Sequence, residues 1–444
     1  MSHPRLRPPI LSLQPLSSVL AIALLGTATA AATKEGKEAD RPQRATVGQA
    51  AHGALVYRAS PEQPWRILKP GGQIQNEDLI VAVPGGAIDA KKGAVRLSLL
   101  SDLARLSPYP VYESAVILHQ TPGQDLDFTL DRGRVDITNR KKDGPARARI
   151  RFRDQTWEVI LSGPGSRVAL ELYGRWPRGV PFSRDPKARE TPAADLVFLV
   201  LEGSAELYTG EQNFAMHAPP GPAYFHWDSA GAADPAPQRM EVVPAWARPP
   251  ATILPRVKDV MAVLKVIEQK LAARTSLEGA LGEALQSQNP DARRIAVYGM
   301  GALDDLGGLT GALEDPKDEE VRRAAIVALR HWIGRKPGQD LKLYEFLTKE
   351  KRYSPNQAAI VLQLLHSFGD SDLARPATYE ALIEYLVHDK IAIRQLAKFH
   401  LARLVPAGNA DFDPAESKED LEKVYAQWKQ LIPTGQLPRR KVKR

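Results

Sequence analysis

A change in the spacing of apolar residues near Pro255 constrains the fold of this 444-residue chain more than any other feature. Before Pro255, apolar residues alternate with polar ones, as at Val95, Leu97 and Leu99, and a period of two places one face of a β-strand in a core. After Pro255, apolar residues recur every three or four positions, which is typical of one face of an α-helix. The sequence therefore predicts a multidomain protein in which an N-terminal all-β domain precedes a C-terminal all-α domain.

The alternation predicts a series of hairpins within residues 78–173. The first is expected to turn at Gly133, because the alternation of residues 126–130 breaks there and resumes at Val135. The second is expected to turn at residues 154–155, between two further alternating segments. Successive hairpins of this kind make a β-meander.

Three later segments complete the predicted β domain. Residues 176–192 contain several prolines and basic residues, which predicts an exposed loop. Residues 195–201 are almost continuously apolar and predict a strand buried on both faces. Residues 240–243 predict a closing edge strand.

Part of this region resembles the FecR-type β-domain. The resemblance is carried by three segments: residues 78–86 (DLIVAVPGG), 130–135 (LDRGRV) and 165–170 (GSRVAL). It implies an extracytoplasmic all-β module. In founding members of the family, that module relays an envelope signal to a sigma factor through a transmembrane helix and a cytoplasmic N-terminal segment. We expect no such cytoplasmic segment in this chain.

The helical half contains an internal repeat of the form Arg-x-x-Ala-x-x-x-apolar. Its copies are Arg293/Ala296/Met300, Arg322/Ala325/Leu329 and Arg394/Ala397/Leu401, with a weaker copy from Gln357. They begin 29 to 37 residues apart, the length of a helical hairpin. Each copy opens at a break that contains Asn, Asp, Ser or Pro, residues that favour helix starts.

These repeats resemble HEAT repeats, most closely over residues 314–329. The resemblance implies a right-handed stack of helix pairs whose surface binds other macromolecules. The spacing by itself indicates only amphipathic hairpins that need neighbours to bury their apolar faces. We expect Arg322 to pair with an acidic residue of an adjoining repeat, and Trp332 and Phe399 to lie in the core.

The N-terminus has the pattern of a secretory signal. Arg5 and Arg7 precede an apolar run at residues 16–25, and small residues precede a cleavage site after about Ala30. The run is shorter than the ~20 apolar residues of a membrane span, so we expect no transmembrane span in the mature chain. This pattern predicts a periplasmic or secreted protein, with an uncleaved anchor as the alternative.

Together these patterns predict six segments. They are a signal peptide (1–30), a flexible leader (31–50), a β-rich FecR-like domain (51–245), a Pro-rich linker (246–256), a helical HEAT-like domain (257–432) and a basic tail (433–444).

Few residues are candidates for catalysis or metal binding. The segment from Glu202 through His217 to His226 is faintly similar to a cupin motif, which would imply a metal site. Two histidines and a glutamate this far apart do not supply the three or four ligands that such a site requires. We therefore predict no metal and no cofactor, and keep His217, His226 and Glu202 as the candidates. Glu202 and Glu206 are the candidate acid and base of a carbohydrate-active site.

The chain contains no cysteine, no Gly-x-Ser-x-Gly, no His-Glu-x-x-His and no Gly-rich phosphate loop. The leading hypothesis is a non-catalytic exported binding or scaffold protein of the bacterial envelope, whose partner is a protein or an envelope polymer. Nucleic acid is not expected as a partner, because the chain is predicted to be exported. The alternatives are an envelope signal sensor of FecR type and a metal-dependent or carbohydrate-active enzyme.

Overall fold

The computed structural model describes residues 43–48, 54–83, 85–102, 111–185, 190–210, 212–231, 234–247, 276–408 and 411–439, with five positions between 262 and 269. The predicted signal peptide, most of the predicted linker and the start of the predicted helical domain lie outside the described residues. The end of the predicted basic tail also lies outside them.

A β region precedes a helical region, as the change of period predicts. The strands of the described residues are β1 (Gln43–Gly48), β2 (Ala54–Arg58), β3 (Arg66–Leu68), β4 (Gln73–Gln75), β5 (Leu79–Val83), β6 (Gly86–Ala90), β7 (Val95–Leu100), β8 (Ala115–Leu118), β9 (Leu126–Asn139), β10 (Ala146–Phe152), β11 (Gln155–Leu161), β12 (Arg167–Arg175), β13 (Ala193–Glu202), β14 (Ser204–Thr209), β15 (Gln212–His217), β16 (Pro222–Asp228) and β17 (Gln238–Arg239). Strand β1 lies within the stretch predicted to be a flexible leader. It pairs with β4 and β6, which corrects the leader prediction for residues 43–48.

The strands form two sheets that share β9. In the first sheet, β9 pairs with β8 and, in parallel, with β10. In the second sheet, the later part of β9 pairs with β7 and β12. The apolar faces of the two sheets enclose a core that includes Phe128, Ile137, Trp157 and Phe198.

The predicted hairpin at Gly133 is wrong, because β9 runs without a turn from Leu126 to Asn139. Opposite β8, one extra residue produces a bulge beside Arg132, and Gly133 follows with φ +92°. A Cβ atom at Gly133 would lie 2.0 Å from the carbonyl oxygen of Glu113. The glycine therefore lets the strand pass from one sheet to the other against neighbouring backbone.

Other strand predictions are found in the structure. Side chains of β7 alternate between buried and partly buried, β10 and β11 form the second hairpin, and β13 is buried along nearly its whole length. Residues 240–243 do not form the predicted edge strand. Instead, Met240 and Ala247 pack on the outer face of the second sheet, against Leu199 and its neighbours.

The helical region consists of paired helices. The α-helices of the described residues are α1 (Leu277–Leu285), α2 (Pro290–Ala302), α3 (Leu306–Leu313), α4 (Glu319–Gly334), α5 (Gln339–Lys349), α6 (Pro355–His366), α7 (Asp370–Leu373), α8 (Pro376–Glu384), α9 (Ile391–Leu404) and α10 (Lys418–Leu431). Helix α1 packs on α2, α3 on α4, α5 on α6 and α8 on α9.

Three of the predicted helix starts are capped as their residues suggest, whereas α9 begins after Lys390 with no side-chain cap. Asn289 caps α2 ahead of Pro290, and Asp318 caps α4. Ser354 caps α6 and forms a capping box with Gln357. These caps satisfy backbone N–H groups that have no partner within the helix.

Two of the repeated arginines join different helical pairs, whereas Arg394 donates to carbonyl oxygens next to its own helix. Arg293 donates from Nε to the Asp318 carboxylate at 2.7 Å, and Asp318 is the residue that caps α4 in the next helical pair. Arg322, whose side chain is 0% exposed, donates to Gln395 at 2.8 Å and pairs with Asp413. Arg322 pairs with an acidic residue as predicted, but Asp413 lies in the segment after α9 and not in the adjoining repeat.

The bulge on β9 leads to a prediction about Gly133. We expect Gly133→Ala to lower the free energy of unfolding by several kcal/mol, because a positive φ costs roughly 1–2 kcal/mol and steric overlap adds about 1–3 kcal/mol. Gly144→Ala is the control, since Gly144 also has positive φ (+75°) but has no atom within 4 Å of its Cβ position. Urea denaturation of both variants provides the measurement. Equal losses would contradict the steric argument.

Candidate binding groove at the junction of strands and helices

One hydrophobic cluster crosses the boundary between the β region and the helical region. Val56 and Val81 of the β region belong to the same buried cluster as the helices. Tyr112 stacks on Tyr298 of α2, with ring centroids 3.6 Å apart. Residues 42–444 accordingly form one compact unit.

A buried network of charges crosses the same junction. Arg335, at the end of α4, forms a bidentate ion pair with Glu113, and both side chains are less than 10% exposed. Arg132 of β9 lies 3.2 Å from the Glu113 carboxylate. Asp304 accepts from Arg335 and from Arg58 of β2, each at 2.6 Å. Each region therefore holds charges that the other neutralises.

The electrostatics of this network favour charged carboxylates. Burial alone would raise the pKa of Glu113, but Arg335 and Arg132 outweigh burial and lower it. At Asp131, burial would likewise raise the pKa of the carboxyl. Arg132 and Lys336 outweigh burial and lower that pKa to about 2. The ion pairs thus compensate for the loss of hydration at the junction.

Close backbone contact fixes the distance between a strand and a helix. A Cβ atom on Gly174 of β12 would lie 1.8 Å from the carbonyl oxygen of Gly334, at the end of α4. A Cβ atom on Gly334 would lie 2.4 Å from the carbonyl oxygen of Gly174. Both positions therefore require glycine.

The segment after β12 extends onto the helices, although the sequence predicts an exposed loop there. Trp176 is 8% exposed and stacks on His366 of α6 at 4.1 Å. The backbone N–H of Phe182 donates to the Gln363 side chain at 3.1 Å, and its ring lies 5.4 Å from Tyr344. These contacts correct the prediction for residues 176–182.

A groove lies where this segment meets helices α6 and α8, and we call it the junction groove. Its volume is about 510 Å³. Most of its lining is apolar, and a few polar side chains lie among the apolar ones. The lining residues are Gly179, Pro181, Phe182, Ala359, Ile360, Gln363, Leu364, Phe368, Asp372, Arg375, Thr378, Ala381, Leu382 and Tyr385.

Several polar groups of the junction groove bond to one another or to nearby backbone. The Gln363 side chain accepts from the Phe182 backbone, and Thr378 donates to the carbonyl oxygen of Asp372. Asp372 also pairs with Arg375. The arrangement is suited to holding an apolar segment, and it brings together no nucleophile and base.

The sequence-based metal candidates lie apart from the junction groove. Glu202 is exposed and pairs with Arg167 at 2.9 Å. His226 lies 3.4 Å from Asp195 and opposite Val197, five residues before Glu202 along β13, a separation of roughly 16 Å.

His217 is exposed at the end of β15, opposite Ser204. Within the described ranges, no three His, Cys, Asp or Glu side chains are arranged to hold a metal ion. Glu206, the candidate base, is exposed and accepts from Tyr208.

Comparisons with known proteins give no relative. No family model, no curated protein and no solved structure matches this chain. Over the part of the chain that the structure describes, no helix has both the length and the apolar character needed to cross a bilayer.

Sequence reasoning missed the junction groove because its lining comes from separate elements. The residues of the β-region segment and those of α6 and α8 are about 180 positions apart. The unusual concentration of prolines and aromatic residues at 176–192 was the available signal, since Trp176 and Phe182 need cover.

The junction ion pair generates a prediction about stability. We expect Arg335→Met to lower the free energy of unfolding by about 3–5 kcal/mol, because it leaves the Glu113 carboxylate buried with an incomplete set of partners. The double variant Arg335→Met/Glu113→Leu should lose less than the sum of the single variants. Arg323→Gln removes an exposed pair on the same helix and should change stability by less than ~1 kcal/mol. Additive single and double losses would contradict the pairing.

The low pKa of Asp131 generates a prediction about pH. The carboxyl has a lower pKa in the folded chain than its ordinary 3.8, so its contribution is present above that value and is lost as the pH falls to about 2. We expect the wild type to exceed Asp131→Asn in unfolding free energy by about 2 kcal/mol at pH 7. Urea titrations at a series of pH values should show this gap closing between pH 4 and 2. Asp143→Asn, at an exposed position, controls for the loss of a carboxylate.

Proposed function

We propose that this chain is a non-catalytic exported binding or scaffold protein of the bacterial envelope. Its partner is a protein that places a short apolar segment in the junction groove. The observation that carries the proposal is the groove itself, formed where the β region and the helices meet.

The size and lining of the junction groove support this function. A volume of about 510 Å³ lies within the roughly 300–1,000 Å³ of known ligand pockets. Ile360, Leu382 and Tyr385 give it an apolar surface that gains free energy when it is covered. Since both walls belong to one compact unit, little ordering is needed before a partner binds.

The paired polar groups favour a protein segment over a polysaccharide. Sugar recognition needs free hydrogen-bond donors and acceptors for many hydroxyl groups. Gln363, Thr378 and Asp372 already bond within the groove. The apolar side chains of a peptide need none of them, so such a segment fits the chemistry better than an envelope polymer.

The sensor alternative would use the same binding step. In a sensor of FecR type, the bound segment would come from a signalling partner. The helices and the sheets would then respond together, because the charged network of Arg335, Glu113 and Asp304 connects them.

The first test of the proposal places a crosslinker in the junction groove. Ala381 lines the groove on α8, whereas Ala377 of the same helix is exposed and lies outside the lining. A photo-crosslinking amino acid at position 381, introduced into the full chain in cells, should capture a protein. The same amino acid at position 377 should not capture it.

Peptides that tile the captured protein then provide the affinity measurement. One apolar peptide should bind the purified chain in fluorescence anisotropy. Ala381→Arg should weaken that binding at least about tenfold, because a buried charge without a partner is unfavourable. Ala377→Arg should leave it unchanged. Crosslinks to glycan alone, or equal effects of the two arginines, would overturn the proposal.

A further inference from the structure

A histidine and an aspartate are buried together behind the junction groove. His366 is the last residue of α6, and Asp340 lies in the first turn of α5. Both side chains are at most 2% exposed, and Nε2 of His366 lies 3.5 Å from Oδ2 of Asp340. We call these two residues the buried His–Asp pair.

The ring of His366 supports one wall of the junction groove. This groove wall, residues 176–182, passes directly over the ring. Nδ1 of His366 lies 3.4 Å from the carbonyl oxygen of Val180. Trp176 stacks on the same ring at 4.1 Å, and the Phe182 ring meets it nearly at a right angle, 5.9 Å away. Since Phe182 lines the groove, the position of the groove wall depends on the His366 ring.

Each ring nitrogen of His366 faces an oxygen that accepts hydrogen bonds. A backbone carbonyl lies at Nδ1 and the Asp340 carboxylate lies at Nε2. A neutral imidazole has one N–H group, so one of its nitrogens presents a lone pair to an oxygen. An imidazolium has a donor for both sides. A protonated Asp340 carboxyl would serve Nε2 equally well, so the geometry requires one proton shared by the pair.

Without that proton, the hydrogen bonding of the buried His–Asp pair is incomplete. Among the described residues, Nε2 of His366 and Oδ1 of Asp340 are buried and have no hydrogen-bond partner. Both contacts of the ring, at 3.4 and 3.5 Å, are longer than the ~2.9 Å of an ordinary N–H···O bond. A proton on the pair supplies the donor and allows both contacts to shorten, which removes the cost of unsatisfied buried groups.

Titratable and charged groups approach the pair from the neighbouring elements. From α4, Arg330 donates to the carbonyl oxygen of the residue before His366, and from α9, His400 donates to that of the residue two before it. Tyr344 of α5 packs on the groove wall, and Arg178 of the groove wall is exposed.

Asp340 is the acid in contact with the ring. Its carboxylate favours a positive charge on His366, whereas Arg330 disfavours that charge. Burial lowers the pKa of His400 to about 4, so His400 is neutral throughout the range from pH 5.5 to 8. A change of the groove wall within that range is therefore not caused by His400.

We propose that the buried His–Asp pair is a pH-dependent contact that regulates the opening of the groove wall. With one proton on the pair, His366 donates both to Val180 and to Asp340. Without it, the remaining contacts still place the groove wall, but the wall opens more often, which shortens the time for which a bound segment is retained. The contact is strengthened as the pH falls and weakened as it rises. The regulation rests on the proposed function, whereas the movement of the wall requires no partner.

The test measures amide hydrogen exchange of residues 176–182 in the full chain without a partner. The backbone N–H of Phe182 donates to Gln363, so its protection reports the docked groove wall. After correction for the intrinsic exchange rate, protection in the wild type should fall at least about tenfold between pH 5.5 and pH 8, the effect expected for one hydrogen bond to a charged group.

Two variants separate a titrating contact from a merely structural one. In Asp340→Asn, the amide donates to the neutral Nε2 and replaces the shared proton, so the groove wall should stay protected at pH 8. In His366→Gln, protection should be independent of pH because the titrating ring is absent. His217→Gln is the matched control, since His217 is exposed at the end of β15, and it should keep the wild-type profile.

The wild-type profile is decisive even if a variant fails to fold. The proposal is overturned if wild-type protection does not change with pH, or if both variants keep the wild-type pH dependence. A pH-dependent groove wall without a captured partner would support the contact and contradict the proposed function. A captured partner with a groove wall that does not respond to pH would do the reverse.

Discussion

The ion pair between Arg335 and Glu113 is the interaction on which the arrangement of the two regions depends. Two charges removed from water are stable only when both partners are in place. One partner belongs to the helices and the other to the β region, and Arg132 and Asp304 extend the network on both sides. The two regions are therefore parts of one unit, although their sequences have different periodicities.

Because the two regions form one unit, the walls of the junction groove are held in fixed positions. Its walls come from the segment after β12 and from helices α6 and α8, which are held together by Trp176, Phe182 and their partners. A groove made in this way is preorganised, because its walls need no rearrangement before a partner binds.

The order of a β region and a helical region could be predicted from the sequence, because period and capping are local properties. Asn289, Asp318 and Ser354 mark helix starts within a few residues. The passage of β9 between two sheets could not be predicted, since a glycine favours a turn and a close backbone approach alike. The junction groove could not be predicted either, because its walls, such as those of Phe182 and Gln363, come from residues 181 positions apart in sequence. The Glu113–Arg335 ion pair joins residues 222 positions apart and was not predictable for the same reason.

The contact between Gly174 and Gly334 limits how the architecture can be varied. Main-chain atoms meet there with no side chain between them, so the separation of sheet and helix is set by van der Waals radii alone. A transplanted helical array would dock on this sheet only if it presented a glycine at the same point. Exchange of modules during evolution, or in an engineered chimera, is thereby restricted to arrays that share this one residue.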